Sequence, residues 1–315
     1  MKKKRKGPAK RIFGKKTMEK SKEKMVDLIV KKCLDPNYQT DVWFSSNIFM
    51  VFGLPTRKLK DNPAYWTKET SLCKLTINRD EKHEIPYGCY ARMNQIFIDT
   101  EVKTKNTNVI EVGKTFNEYV RKLGYKEGKA NKALLKQLIN YVTSVIKVEP
   151  RDPAPNRIIG IHSLVARAWD IHFDIQNPDQ LMFSKGQIIL DQEYAKWIHD
   201  HCVPLDMAVV NIFKRNPLAL DFYRYLVYRN NELSKTISFP DYGLFEQFGT
   251  EQQNDRITRE RLKRILKVIQ LYWPVKAKFE DGFFELKPSP AAVPRKIPSR
   301  KPIVIDEKST ESTEE

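Results

Sequence analysis

The clearest patterning of apolar and polar positions runs from Asn216 to Leu286. Asn216-Pro217 reads as a helix start, with asparagine as N-cap and proline in the first turn, where its missing N–H is no loss. Leu218, Phe222, Tyr225 and Leu226 follow at helical spacing and make one apolar face. A second short helix is predicted from about Asp241 to Gln247, ending at Phe248-Gly249 on a left-handed glycine. The third, Arg256 to Trp273, puts Leu262, Ile265, Leu266 and Ile269 on a buried stripe. Val275 to Phe279 then alternates, Asp281-Gly282 suits a two-residue hairpin turn, and Phe283 to Leu286 returns. Three helices followed at once by a hairpin is the order of a winged helix, a DNA-reading module.

The same order recurs earlier. Ala91 to Val102 is helical in period and Val109 to Val112 a short strand. Thr115-Phe-Asn-Glu118 is a capping box that opens a helix ending near Leu123-Gly124. The next helix, about Ala130 to Val145, has Leu134, Leu135, Leu138 and Val142 inward. A strand at Val145 to Val148, a proline-rich loop over 151–156 and a return over Arg157 to Val165 complete a second helix–helix–helix–wing order. Asp41 to Asn78 reads as β-rich (Val42 to Phe44, Ile48 to Phe52, Leu72 to Ile77). Trp169 to Leu190 reads as strand with a turn at Lys185-Gly186, and Asp191 to His201 as a bridging helix. The expected fold is α+β, with two tandem winged-helix domains. Residues 25–185 form the first and 186–287 the second. Residues 1–24 are expected to be a disordered basic arm and 288–315 a disordered proline-rich, finally acidic tail.

Charge then says what the helices are for. A formal net charge of +17 favours a polyanionic partner. On the last helix Arg256, Arg259, Lys263, Arg264 and Lys267 fall largely opposite the apolar stripe. On its counterpart Lys129, Lys132, Lys136, Asn140 and Thr143 are expected to face outward, and Arg157, Lys276 and Lys278 sit on the two wings. These thirteen residues are the expected DNA contacts. A solvated helix face is the plainer meaning of such charges. Their segregation on one side, with a hairpin directly behind, favours double-stranded DNA. No apolar run reaches membrane-span length, and no signal-peptide core follows the basic start, so a soluble cytoplasmic chain is expected. Cys33, Cys73, Cys89 and Cys202 are scattered, which fits a reducing compartment and argues against zinc or a disulfide framework.

Catalytic constellations fail on inspection. Gly113-Lys114-Thr115 lacks the glycine that a phosphate-binding loop needs at position 108, which is Asn108. His199-Asp200-His201 has a charged residue between its histidines where a nickase metal site needs an apolar one, and His162 and His172 have nothing to assemble them. No tyrosine sits where it would be activated as a nucleophile. No enzyme activity, cofactor or metal is expected.

Several blocks in order resemble the RepA family of plasmid replication initiators: Leu54-Pro55-Thr-Arg57, Ile85-Pro86-Tyr87-Gly88, Asp99 to Lys105, Val112 to Gly124, Asn216 to Tyr223 with Tyr228-Arg229, Phe245 to Gly249, and Lys287 to Pro290. The resemblance covers about Phe49 to Pro290. It implies an initiator that binds repeated sites at a plasmid origin, promotes opening and recruits host replication proteins such as initiator and helicase, with a homodimer reserved for autorepression. The helix after Gly128 carries lysines where the family leads one to expect more arginine, so the DNA sequence read does not carry over. The alternative is a winged-helix repressor or DNA-binding protein without initiator activity.

Overall fold

The computed structural model describes residues 41–70, 73–126, 131–151, 160–173, 176–181, 186–249 and 255–293. The basic arm 1–24, Lys129, Arg157, Cys33, the turn residue Lys185 and the tail beyond 293 lie outside the described residues.

The fold is a mixed α/β arrangement, and its regular elements arise from local signals of the expected kind. In the second half, Asn216 accepts from the Ala219 N–H at 3.2 Å and opens α7 (Pro217–Asn231). Strand β10 (Ile237–Pro240), helices α8 (Tyr242–Phe248) and α9 (Asp255–Tyr272), and strands β11 (Ala277–Glu280) and β12 (Phe283–Leu286) follow. Asp281 and Gly282 both take positive φ (47° and 81°), the primed turn whose twist matches the flanking strands. The sheet order is β10-β12-β11, all antiparallel. Phe222 on α7 meets Phe248, Phe279 and Phe284 at ring distances of 5.6 to 6.4 Å, so one side chain joins α7, α8 and the hairpin. Gly249 is extended (φ −71°, ψ 171°) rather than left-handed. Glycine suits it for another reason, since a Cβ would collide with the Phe245 carbonyl oxygen.

The first half repeats the order but closes its sheets differently. Helix α2 (Gly88–Lys105), strand β4 (Val109–Gly113), helices α3 (Phe116–Lys122) and α4 (Asn131–Val142), and strands β5 (Val145–Pro150) and β6 (Ile161–Leu164) run in sequence. Thr115 caps α3 by accepting from the Glu118 N–H at 3.0 Å, while Glu118 reaches back to the Lys114 N–H at 2.7 Å. Here β4 pairs not with the wing strands but with β8 (Gly186–Leu190), which also pairs with β7 (Ala166–Asp170). β5 and β6 instead extend a four-stranded sheet, β2-β3-β5-β6, through β2 (Tyr65–Glu69) and β3 (Cys73–Asn78). β6 and β7 flank buried Val165, whose N–H donates to the Ser144 carbonyl at 3.0 Å, so one extended run serves two sheets in turn. β8 therefore packs with the elements that precede it.

Ahead of both lies β1 (Val42–Ser46), which pairs antiparallel with β9 (Cys202–Asp206), and α1 (Asn47–Val51). The expected strand at Ile48 to Phe52 is thus a helix with Ile48, Phe49 and Met50 all buried. An apolar run buried on every side carries no periodicity to tell helix from strand. Helices α5 (Gln192–His201, capped by Asp191) and α6 (Met207–Phe213) sit on either side of β9. After β12 the chain stays packed for several residues. Asn230 exchanges hydrogen bonds with Ser289 at 3.0 Å, and the Trp273 indole donates to the Pro290 carbonyl at 2.8 Å. The expected tail boundary at 288 is accordingly too early, because Asn230 and Trp273 supply partners that composition cannot show.

The two halves share one core, and charged groups are buried within it. Arg92 on α2 is fully buried and forks onto Asp221 of α7 at 2.8 and 2.5 Å, while also donating to the Pro55 and Gly88 carbonyls. Arg224, one turn on, donates to Ser45 of β1 and Gln95 of α2, both at 2.5 Å. Asp99 accepts from the Ser46 N–H at 2.6 Å, and burial pushes its carboxyl up to about 7. Gly53 passes so close, at φ +67°, that a Cβ would lie 2.7 Å from Asp221 Oδ2. The fork between Arg92 and Asp221 offsets part of the cost of burying that pair, whereas Arg224 Nε and Nη1 and Asp99 Oδ1 are buried without a hydrogen-bond partner.

Candidate nucleic-acid interface

Helix α9 presents its outward ridge as the sequence pattern predicts. Leu262, Ile265, Leu266 and Ile269 are buried, Arg256 and Lys267 are exposed, and Lys263 and Arg264 are half-buried. At about 1.5 Å per residue the helix is about 27 Å long, enough to follow a major groove for part of a turn. Arg259 has another task. Its guanidinium forks onto Asp241 at 2.6 and 2.7 Å and lies 5.1 Å over the Phe245 ring. It therefore ties α9 to the start of α8 while its side chain stays 35% exposed. The tie fixes the angle at which Lys263 and Lys267 are displayed.

The hairpin behind α9 is less basic than expected. Lys276 is exposed, but Lys278 is bracketed by Glu280 and, at 3.7 Å, by Glu285, which also holds Lys287 at 3.4 Å. Glu280 holds Lys278 in its charged form through a direct hydrogen bond, yet the same bond offsets its charge toward a phosphate.

On α4 the correction is larger. Lys132 and Lys136 are exposed, whereas Asn140 and Thr143, expected outward, are buried. Asn140 Oδ1 accepts from the Glu84 N–H at 3.3 Å, and Gln137 Oε1 accepts from the Tyr87 N–H at 2.8 Å. Thr143 returns its hydroxyl to the Ile139 carbonyl at 2.9 Å. The turn over 80–87 thus covers the C-terminal half of the helix, and polar side chains there satisfy backbone groups that would otherwise be stranded. Lys136 is itself tied to Glu84 at 2.9 Å, and Lys58 approaches the same carboxylate at 2.7 Å. Burial pushes the Glu84 carboxyl up, but the two lysines outweigh it and hold the group below its ordinary value.

Sequence reasoning missed Lys58, which lies in a loop without periodicity. It also missed Lys74, Lys147 and His162, which share the outer face of the β2-β3-β5-β6 sheet through the pairs Thr76–Lys147 and Lys147–His162. Period-two alternation in Val145 to Val148 marks Lys147 as facing away from buried Ile146. Lys147 and Lys74 are each paired, with Glu149 at 2.8 Å and Glu69 at 3.2 Å.

His199 meets Asp200 at 3.1 Å and His201 stacks on Trp197 with centroids 4.0 Å apart. Among the described residues no group of three or more His, Cys, Asp or Glu side chains is placed to hold a metal ion. Nor is any described helix long and apolar enough to cross a membrane.

Residues 85–239 match the sequence model of a family described as plasmid encoded RepA protein. No curated protein matches the chain. Among solved structures, crystals of domains 2 and 3 of RctB are similar. One, of selenomethionine derivatives, has a TM-score of 0.48 at 10% identity and covers 77% of this chain and 96% of that one. The other, RctB residues 155–483, has a TM-score of 0.47 at 9% identity and covers 74% and 95%.

Proposed function

From residues 85–239, which belong to the plasmid-encoded RepA protein family, we infer that the chain is a DNA-binding replication initiator. It binds repeated sites at a plasmid origin in sequence-specific fashion, promotes their opening and recruits host initiator and helicase. It acts by binding rather than by chemistry, in the bacterial cytoplasm. The observation that carries this reading is the repeated order helix–strand–helix–helix–strand–strand over α2 to β6 and α7 to β12. That order supports two tandem winged-helix modules. In the second, the β10-β12-β11 sheet and the basic ridge of α9 stand as a recognition helix and its wing would.

A single recognition helix reads few base pairs, so two modules on one chain would cover about two turns of DNA, on the order of 20 base pairs. Footprinting on the plasmid's own origin tests this. The expected result is protection of that length per protomer, repeated in one orientation. Protection of one helical turn, or a palindrome bound by two chains, would overturn the tandem arrangement. Permanganate reactivity at an AT-rich stretch checks opening. Protection without opening would leave a repressor, and strand cleavage would leave an enzyme.

A further inference from the structure

We propose that Lys58 and Lys136 form a seat for a DNA backbone phosphate, and that the Glu84 carboxylate fills this seat when DNA is absent. The inference rests on the reading of the chain as a DNA-binding protein and adds to it a binding site that no motif marks. Both lysines are exposed at the side chain (57% and 51%), whereas Glu84 is 15% exposed. Both ammonium groups bond the same oxygen, Oε1, at 2.7 and 2.9 Å. The other oxygen, Oε2, is buried and has no hydrogen-bond partner. A carboxylate is thus a poor occupant, since one oxygen serves two cations and the second serves none. A backbone phosphate diester spreads its single charge over two non-bridging oxygens that both face outward, one for each lysine, and lysine binds phosphate as a point charge without demanding a fixed fork.

The backbone around Glu84 would not need to move for the exchange. Its N–H is held by Asn140, and the Tyr87 N–H by Gln137, so the turn remains docked on α4 while the side chain rotates out. The plainer function of the cluster is a tie between two loops and a helix. A tie alone, however, would not predict that removing the acid strengthens DNA binding beyond the general effect of one charge.

The full chain and a random-sequence duplex test the idea, because phosphate contacts are independent of sequence. Glu84→Gln should tighten binding on the order of tenfold near 0.1 M salt, with a log–log salt slope steeper by about one to two units. Adding Lys58→Gln and Lys136→Gln should abolish both changes. Glu81→Gln, an equal charge change at an exposed position three residues away, should produce neither. If Glu84→Gln and Glu81→Gln behave alike, or if Glu84→Gln leaves the slope of the folded protein unchanged, the seat does not exist although the chain binds DNA. If the unaltered chain fails to bind duplex even at low salt, the functional reading falls as well. Circular dichroism melts of each variant separate loss of fold from loss of binding.

Discussion

Helices α4 and α9 occupy the same place in a repeated order of elements, yet their outer faces meet different surroundings. On α9 the polar ridge is open, and Arg259, drawn inward, braces the helix against Asp241. On α4 the turn over 80–87 lies across the polar face, so that Gln137 and Asn140 serve backbone N–H groups. A polar stripe on a helix therefore marks two alternatives, a face open to solvent or a face that satisfies a neighbouring loop. Periodicity alone does not distinguish them. If the chain reads DNA through both helices, α9 can use most of its length and α4 only its N-terminal part around Lys132 and Lys136.

The strongest way to break this comparison is to ask whether the halves stand independently at all. Arg92→Ala takes both hydrogen bonds from the buried Asp221 carboxylate and leaves it only the 3.6 Å approach of Arg224, and loss of about 3–5 kcal/mol is expected. Urea denaturation should show both halves unfolding in one weakened transition. Two separate transitions would mean that the core does not couple them. Next in size is the pH response of Asp99. Its carboxyl sits at about 7 in the folded protein, against an ordinary value near 4. Between those values the folded chain keeps a proton that the unfolded chain has released, so stability falls as pH rises from about 4 to 7. The whole loss, a few kcal/mol at most, is present above that range. Asp99→Asn should flatten this part of the stability curve measured by thermal melting.

Smaller effects sharpen the contrast between the helices. Asn140→Ala should destabilise by about 1–3 kcal/mol, because a buried N–H is left without its acceptor, and should leave the salt slope of DNA binding unchanged. The reverse result, an altered slope in a protein of undiminished melting temperature, would place Asn140 on DNA. For Lys263→Ala with Lys267→Ala the expectation is opposite: stability holds, and the slope drops by about one unit for each phosphate no longer neutralised. Least of all is expected from Lys278→Ala, whose charge Glu280 and Glu285 already offset. Titration of random duplex should match the unaltered chain within about twofold.

The legibility of the sequence follows the range of its interactions. From Asn216 to Leu286 the determinants are local: a cap, a first-turn proline, a 3.6-residue stripe and an Asp-Gly turn each act within a few residues. These elements are accordingly found within a residue or two of their expected limits, save for β10, four residues long and ending at Pro240. In the first half the limits are legible to within about three residues (a helix expected over Ala91 to Val102 runs Gly88–Lys105), but the partners of the strands are not. β4 finds its partner across some 75 residues, and nothing in Val109 to Val112 tells β8 from β6. The core charges were equally hidden. Arginine is rarely buried without a partner, and the partner of Arg92 lies 129 residues away. Of the residues expected to face outward, Arg256 and Lys267 on α9 are exposed as period and charge indicate. The surroundings of Arg259, Asn140 and Thr143 could not be read, because a polar residue looks the same in sequence whether it meets water or a buried neighbour.

The pairing of β1 with β9 sets an order on biosynthesis. Val42 faces Asp206 in the ladder, so β1 waits for more than 160 further residues before its partner exists. Arg224, which completes the bonding of Ser45, arrives later still. Closing a loop of that length adds only modestly to the entropic cost of folding, but it delays the reward until residues 202–206 have been made. During that interval Phe49 can already meet Tyr141, but β1 has no ladder partner. A nascent chain arrested before residue 206 should thus be a client for chaperones and proteases, and a chain extended past that residue should close β1 against β9.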